Sequence, residues 1–69
     1  MSKARKAAIK ALEDYRKDNS LTREEVARSF GYSRPQWYRF VTGKAKIPVA
    51  LAIKIERRTG IKASELVGL

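Results

Sequence analysis

Between Glu25 and Glu56 this chain has no acidic residue, yet Arg28, Arg34, Arg39, Lys44, Lys46 and Lys54 all fall in that stretch. A guanidinium presents its donors as a rigid planar fork, which fits paired acceptors such as O6 and N7 of guanine. Arg34 and Arg39 are the side chains best suited to meet a base edge in this way. Over 69 residues, sixteen Lys and Arg oppose seven Asp and Glu, leaving +9 at pH 7. Such an excess implies a polyanionic partner, because cations that neutralise phosphates release condensed counterions. Solubility alone is the plainer account of the charge, but the distribution argues against it. Residues 1–18 interleave Lys3, Arg5, Lys6, Lys10, Arg16 and Lys17 with Glu13, Asp14 and Asp18, whereas the middle of the chain carries cations alone.

Other chemistries lack their parts. The chain has no His and no Cys, and its carboxylates are scattered. Glu24 and Glu25 are accounted for by helix capping and Glu56 by surface charge, so no acid–base pair stands out. No glycine-rich phosphate cradle and no metal-ligand spacing occurs. We therefore expect no enzyme, no metal and no cofactor. The absence of cysteine suits a reducing compartment, no apolar run approaches a membrane span, and the N-terminus lacks an uninterrupted signal-peptide core. A cytoplasmic, nucleoid-associated protein without a membrane partner is expected.

The elements that must present these cations read as helices throughout. A first helix is expected from Lys3 to Lys17, with Ser2 as N-cap and Ala4, Ala8, Ala11, Leu12 and Tyr15 as a narrow apolar stripe. Because alanine grips lipid weakly, that stripe suits core packing better than a membrane surface. Asp18-Asn19-Ser20 supplies turn chemistry. Thr22-Arg23-Glu24-Glu25 is a capping box opening a second helix, whose buried face is Val26, Ala27 and Phe30. Gly31 sits where a left-handed C-terminal cap is needed. A second box follows in Ser33-Arg34-Pro35-Gln36, where Pro35 is tolerated because first-turn amides have no intrahelical partner.

The third helix then spans about Arg34 to Val41, with Trp37, Phe40 and Val41 inward. Arg34, Pro35, Tyr38, Arg39 and Thr42 are left to face outward. Thr42-Gly43-Lys44-Ala45-Lys46 forms a basic loop closed by Ile47-Pro48. Pro48 starts a fourth helix on which Leu51, Ala52, Ile55 and Thr59 share a face, and Gly60 stops it. Val49 and Ile53 point elsewhere and are expected to cover a neighbouring helix, with a small self-association patch as the alternative. A last short helix is expected from about Ala63 to Val67. No segment shows strand alternation. The chain length suits one domain over residues 1–69, all-α, and a hydrophobic content of 43% suffices for a single core.

A tight pair of helices with a small residue at the crossing (Ala27), a glycine in the turn (Gly31) and an apolar anchor in the second helix (Trp37) is the pattern that projects a helix into the major groove. The run Leu21-Thr22-Arg23-Glu24-Glu25-Val26-Ala27-Arg28-Ser29-Phe30-Gly31-Tyr32-Ser33-Arg34, continuing to Thr42-Gly43-Lys44, resembles the Cro and lambda-repressor-like helix-turn-helix family. The match is to the form in which T-x-E-E-[LV]-A precedes a G-[VY]-S turn and the recognition helix ends in a [NT]-G-K loop. Ile47-Pro48 through Gly60, then Ser64-Glu65-Leu66, resemble that family's fourth and fifth helices. The resemblance implies a compact five-helix domain that binds a double-stranded DNA operator, usually as a homodimer on a two-fold symmetric site. A repressor in a prophage, phage or plasmid control circuit is the role it implies.

Carried over by the resemblance, Arg34, Pro35, Tyr38 and Arg39 match positions that meet base edges. Arg23, Ser33, Gln36, Thr42, Lys44 and Lys46 are the expected contacts to the DNA backbone. The chain departs from the family at Pro35, where Gln, Ser or Thr is common, at Tyr38, where a small residue is common, and at Trp37, which replaces an aliphatic anchor. Two other functions suit parts of the same sequence. An RNA-binding domain fits the charge but lacks the aromatic-rich strands of a base-stacking sheet. An antitoxin-like or protein-interaction module on the same fold is the alternative function, since function lives in the site rather than the fold.

Overall fold

In the computed structural model, which describes residues 2–67, five helices follow in the order α1 (Lys3–Asp18), α2 (Arg23–Ser29), α3 (Arg34–Val41), α4 (Val49–Thr59) and α5 (Ala63–Leu66). Among the described residues there is no strand. α2 packs on α3, while α5 closes the far side against both α1 and α4.

The first three helices each begin where a side chain satisfies a backbone group that the helix leaves orphaned, whereas α4 starts at Pro48 without a side-chain cap. The Ser2 hydroxyl accepts the Arg5 amide at 3.2 Å, as expected of an N-cap. α1 runs one residue beyond the expected Lys17. The Arg16 guanidinium then closes the following turn, donating to the Leu21 carbonyl at 2.8 Å while pairing with Glu13 at 3.1 Å. At α2 both bonds of the capping box form: the Glu25 amide donates to Thr22 Oγ1 at 3.1 Å, and the Thr22 amide to Glu25 Oε1 at 2.8 Å. Gly31 ends α2 with φ +85°, which lets the Gly31 and Tyr32 amides turn back to the carbonyls of Arg28 and Ala27, both at 2.9 Å. This pair of bonds is the Schellman arrangement.

α5 is a residue shorter than expected, Val67 serving as its C-cap. Its N-terminus is held by Glu56, whose Oε1 accepts the Ala63 amide at 2.9 Å. Glu56 is thus more than the surface charge that its sequence context suggested. The carboxylate bridges the end of α4 to the start of α5.

The core gathers Ala8 and Leu12 of α1, Val26, Ala27 and Phe30, Trp37 and Phe40 of α3, Ile47, Leu51, Ala52 and Ile55, and Leu66. Val41 and Ile61 pack against it, partly buried. Two expectations fail here. On α1 the buried residues are Ala8, Ile9 and Leu12, whereas Ala4 and Ala11 are exposed. Ile9 removes far more apolar area from water than an alanine does, so the helix turns toward it. On α4, Val49 and Ile53 are not buried against a neighbouring helix; they are 64% and 40% exposed. The buried face of α4 is Leu51, Ala52 and Ile55, and Val49 and Ile53 lie off it.

Candidate nucleic-acid interface

The angle between α2 and α3 is fixed by buried groups on both sides of the four-residue link, residues 30–33. Ala27, with no exposed surface, lets the helices approach, and Phe30 of the α2 cap stacks on Trp37 of α3. Tyr32, in the turn itself, meets Phe40 edge-on at 5.3 Å. With Trp37 and Phe40 committed inward, helical geometry leaves Arg34, Pro35, Tyr38 and Arg39 on the outer face, and all four are exposed. Trp37 is buried, so it cannot serve as a stacking platform for single strands.

The other expected contact residues, Arg23, Ser33, Gln36, Thr42, Lys44 and Lys46, are exposed as well. They border α3 rather than scatter over the molecule. Arg23, Arg34, Pro35 and Tyr38 line one shallow depression of ≈ 430 Å³, and Arg16, Thr22, Arg23, Glu24 and Arg34 line an adjoining one of ≈ 590 Å³. Lys44 Nζ lies 5.9 Å from the centre of the Tyr38 ring, which draws the basic loop up to the outer face of α3.

Among the described residues, none of Arg34, Arg39, Lys44 and Lys46 pairs with a carboxylate. Arg28 is different: it holds Glu24 at 2.9 Å one turn back, which neutralises both on that side of α2. Arg23 is partly committed, its Nε standing 3.7 Å from Glu13 Oε2, and this fixes one edge of its guanidinium while the other edge remains open.

The hydroxyls are less free than the sequence pattern suggested. Ser33 Oγ donates to Gln36 Oε1 at 3.0 Å, so its proton is already used within the capping box. Gln36 spends only its Oε1 there, accepting from both the Ser33 amide and the Ser33 hydroxyl at 3.0 Å. Its amide nitrogen keeps its donors. The Thr42 hydroxyl donates to the Tyr38 carbonyl at 2.8 Å, and the Thr42 amide goes to the same carbonyl at 3.0 Å. Of the uncharged side chains Ser33, Gln36 and Thr42, Gln36 keeps donors to spare among the described residues.

Some side chains that shape this surface are not marked by local pattern. Arg58 of α4 reaches Ser29 at the end of α2, donating to its Oγ at 2.8 Å and its carbonyl at 3.3 Å, and lies 4.0 Å over the Phe30 ring. A cation at a helix C-terminus is favourable to the exposed carbonyls there. The backbone hydrogen bond from Thr22 holds the Glu25 carboxyl below the usual carboxylate range. Among the described residues no cluster of His, Cys, Asp or Glu has metal-site geometry, and no helix is long and apolar enough to cross a membrane.

A family model described as helix-turn-helix matches residues 12–66, from the innermost leucine of α1 to the last buried residue of α5. No curated protein and no solved structure gives a match.

Proposed function

Since the chain belongs to the XRE-type (Cro and lambda-repressor-like) helix-turn-helix family of DNA-binding regulators, we propose that it lays α3 in the major groove of double-stranded DNA. The observation that carries this is the exposed outer face of α3, where Arg34 and Arg39 stand without a carboxylate partner. Each reads a guanine through O6 and N7, at about 1–3 kcal/mol of discrimination per good bidentate pair. Pro35 has no donor, so its contact is apolar. Tyr38 adds ring surface beside it.

Phosphate contacts flank the reading helix and set its register. Lys44 and Lys46 grip one strand beyond the end of α3, and Arg23 and the Gln36 amide grip the backbone at its start. Ser33 contributes by orienting Gln36, and Thr42 reaches a phosphate only by giving up its bond to Tyr38. The protein acts as a homodimer on a two-fold symmetric operator. Half-sites on one face of a duplex lie roughly 34–36 Å apart, and the longest dimension of this molecule, 28 Å, leaves room for a second copy in the next groove. Bound across a promoter, two copies block polymerase and repress.

In vitro selection from a random duplex pool tests this. The expected product is an inverted repeat with guanines in each half-site, at a centre-to-centre spacing of about one helical turn. A pool that never enriches contradicts DNA reading, and enrichment of a lone half-site contradicts the dimer.

A further inference from the structure

Arg5 lies on the first turn of α1, outside the helix-turn-helix, yet its Nη2 donates to the Ala45 carbonyl at 2.9 Å across 40 residues of sequence. Ala45 is the one partly buried residue between the exposed Lys44 and Lys46. Its amide donates to the Arg39 carbonyl at 3.0 Å, near the end of α3. Both backbone groups of Ala45 are therefore fixed, one by α3 and one by α1. The Arg5 Nε is closed off from solvent, so this guanidinium is directed into the protein rather than toward a ligand.

We infer that Arg5 is a positioning residue for DNA binding: it latches the loop so that Lys44 and Lys46 are held ready to meet phosphates. The inference rests on the phosphate grip proposed above. A flexible Lys-Ala-Lys loop after a helix must be ordered on binding, and that ordering is paid in affinity. The Arg5 latch orders it in advance. Gly43, with φ +81°, reverses the chain just before the loop, and residues 43–47 belong to no helix or strand.

The test compares wild type with Arg5→Met, which keeps an unbranched apolar stem but removes the guanidinium and its donors. In the free protein, ¹⁵N relaxation at the Lys44, Ala45 and Lys46 amides is expected to show new mobility. With DNA, affinity is expected to fall several-fold for every duplex alike, and the salt slope to shrink by up to about 1.8, two phosphates at about 0.9 each. In a Lys44→Ala/Lys46→Ala background the same change at Arg5 is expected to have no further effect. Amides that stay rigid, or an equal loss with and without the two lysines, overturns the latch. If Arg5→Met does not fold, the wild-type guanidinium is read directly: slow exchange of its Nη protons supports the latch, and free rotation overturns it. A wild-type chain that binds no duplex contradicts the proposed function itself, and the DNA role of Arg5 falls with it; the free-protein relaxation then reports separately on whether the loop is held.

Discussion

Phe30 and Trp37 stack with ring centroids 5.5 Å apart and planes 6° from parallel, one ring from each half of the helix pair. The α2–α3 angle is thus set by two flat surfaces in contact, and Arg58 over the Phe30 ring ties the same unit to α4. Because the outer face of α3 is aimed by this stack, anything that loosens it blurs the whole face that carries Arg34, Tyr38 and Arg39.

Truncating Trp37→Ala is expected to cost about 3–5 kcal/mol, a large part of the roughly 5–15 kcal/mol that stabilises an ordinary domain. Urea denaturation followed by circular dichroism measures it. Trp37→Phe is expected to cost clearly less. The indole Nε1 is buried without a partner among the described residues, so phenylalanine loses volume there but no hydrogen bond. Equal costs for the two substitutions contradict the stacking account.

Gly31→Ala isolates backbone from packing. A Cβ at this position meets nothing within 4 Å, yet φ is +85°. The left-handed conformation alone is then expected to cost about 1–2 kcal/mol, seen as a lower urea midpoint with an unchanged slope. A cost near zero indicates that the turn has relaxed out of the Schellman arrangement.

These two positions also mark how far local pattern carries. The capping boxes at Thr22–Glu25 and Ser33–Gln36 span three residues each, so the donor and acceptor lie in one short motif and both helix starts were legible. The outward set on α3 followed from the phase of Trp37 and Phe40. The α1 face was half wrong, because alanine is compatible with either side of a helix and Ile9 decided the matter. Arg5 with Ala45 and Arg58 with Ser29 were not legible at all. They are separated by 40 and 29 residues, and only the folded chain brings them together. Glu56 looked like a solvated charge since its partner, the Ala63 amide, is a backbone group with no sequence signature.

Acid lowers stability partly through Glu25. Its carboxyl titrates below the usual range in the fold because the Thr22 backbone amide, then the Thr22 hydroxyl, favour the charged form. A pKa depressed by folding gives stability that is present above the unfolded value and is lost as pH falls through the folded one. Glu25→Gln, which keeps an acceptor as Gln36 does in the second box, is expected to flatten the decline in melting temperature below the ordinary carboxylate range. An unchanged acid limb in that variant places the pH dependence elsewhere.

Reading and gripping residues are expected to separate in binding assays. Arg39→Ala should relax preference at one base position, with about 1–3 kcal/mol lost on the best duplex and less on others. Lys44→Ala or Lys46→Ala should weaken all duplexes about equally and reduce the salt slope by about 1 per lysine. Competition titrations against a panel of single-base variants measure both. If arginine and lysine variants behave alike, the division between base and phosphate contacts is wrong.

The most direct measurement is methylation interference at guanine N7 on a duplex recovered by selection. N7 lies in the major groove, where the Arg34 and Arg39 guanidinium forks are placed by this account. Methylation at one or two guanines per half-site is expected to block binding, and Arg34→Ala or Arg39→Ala is expected to remove the block at its own guanine. Binding that is indifferent to N7 methylation at every position contradicts major-groove reading by α3.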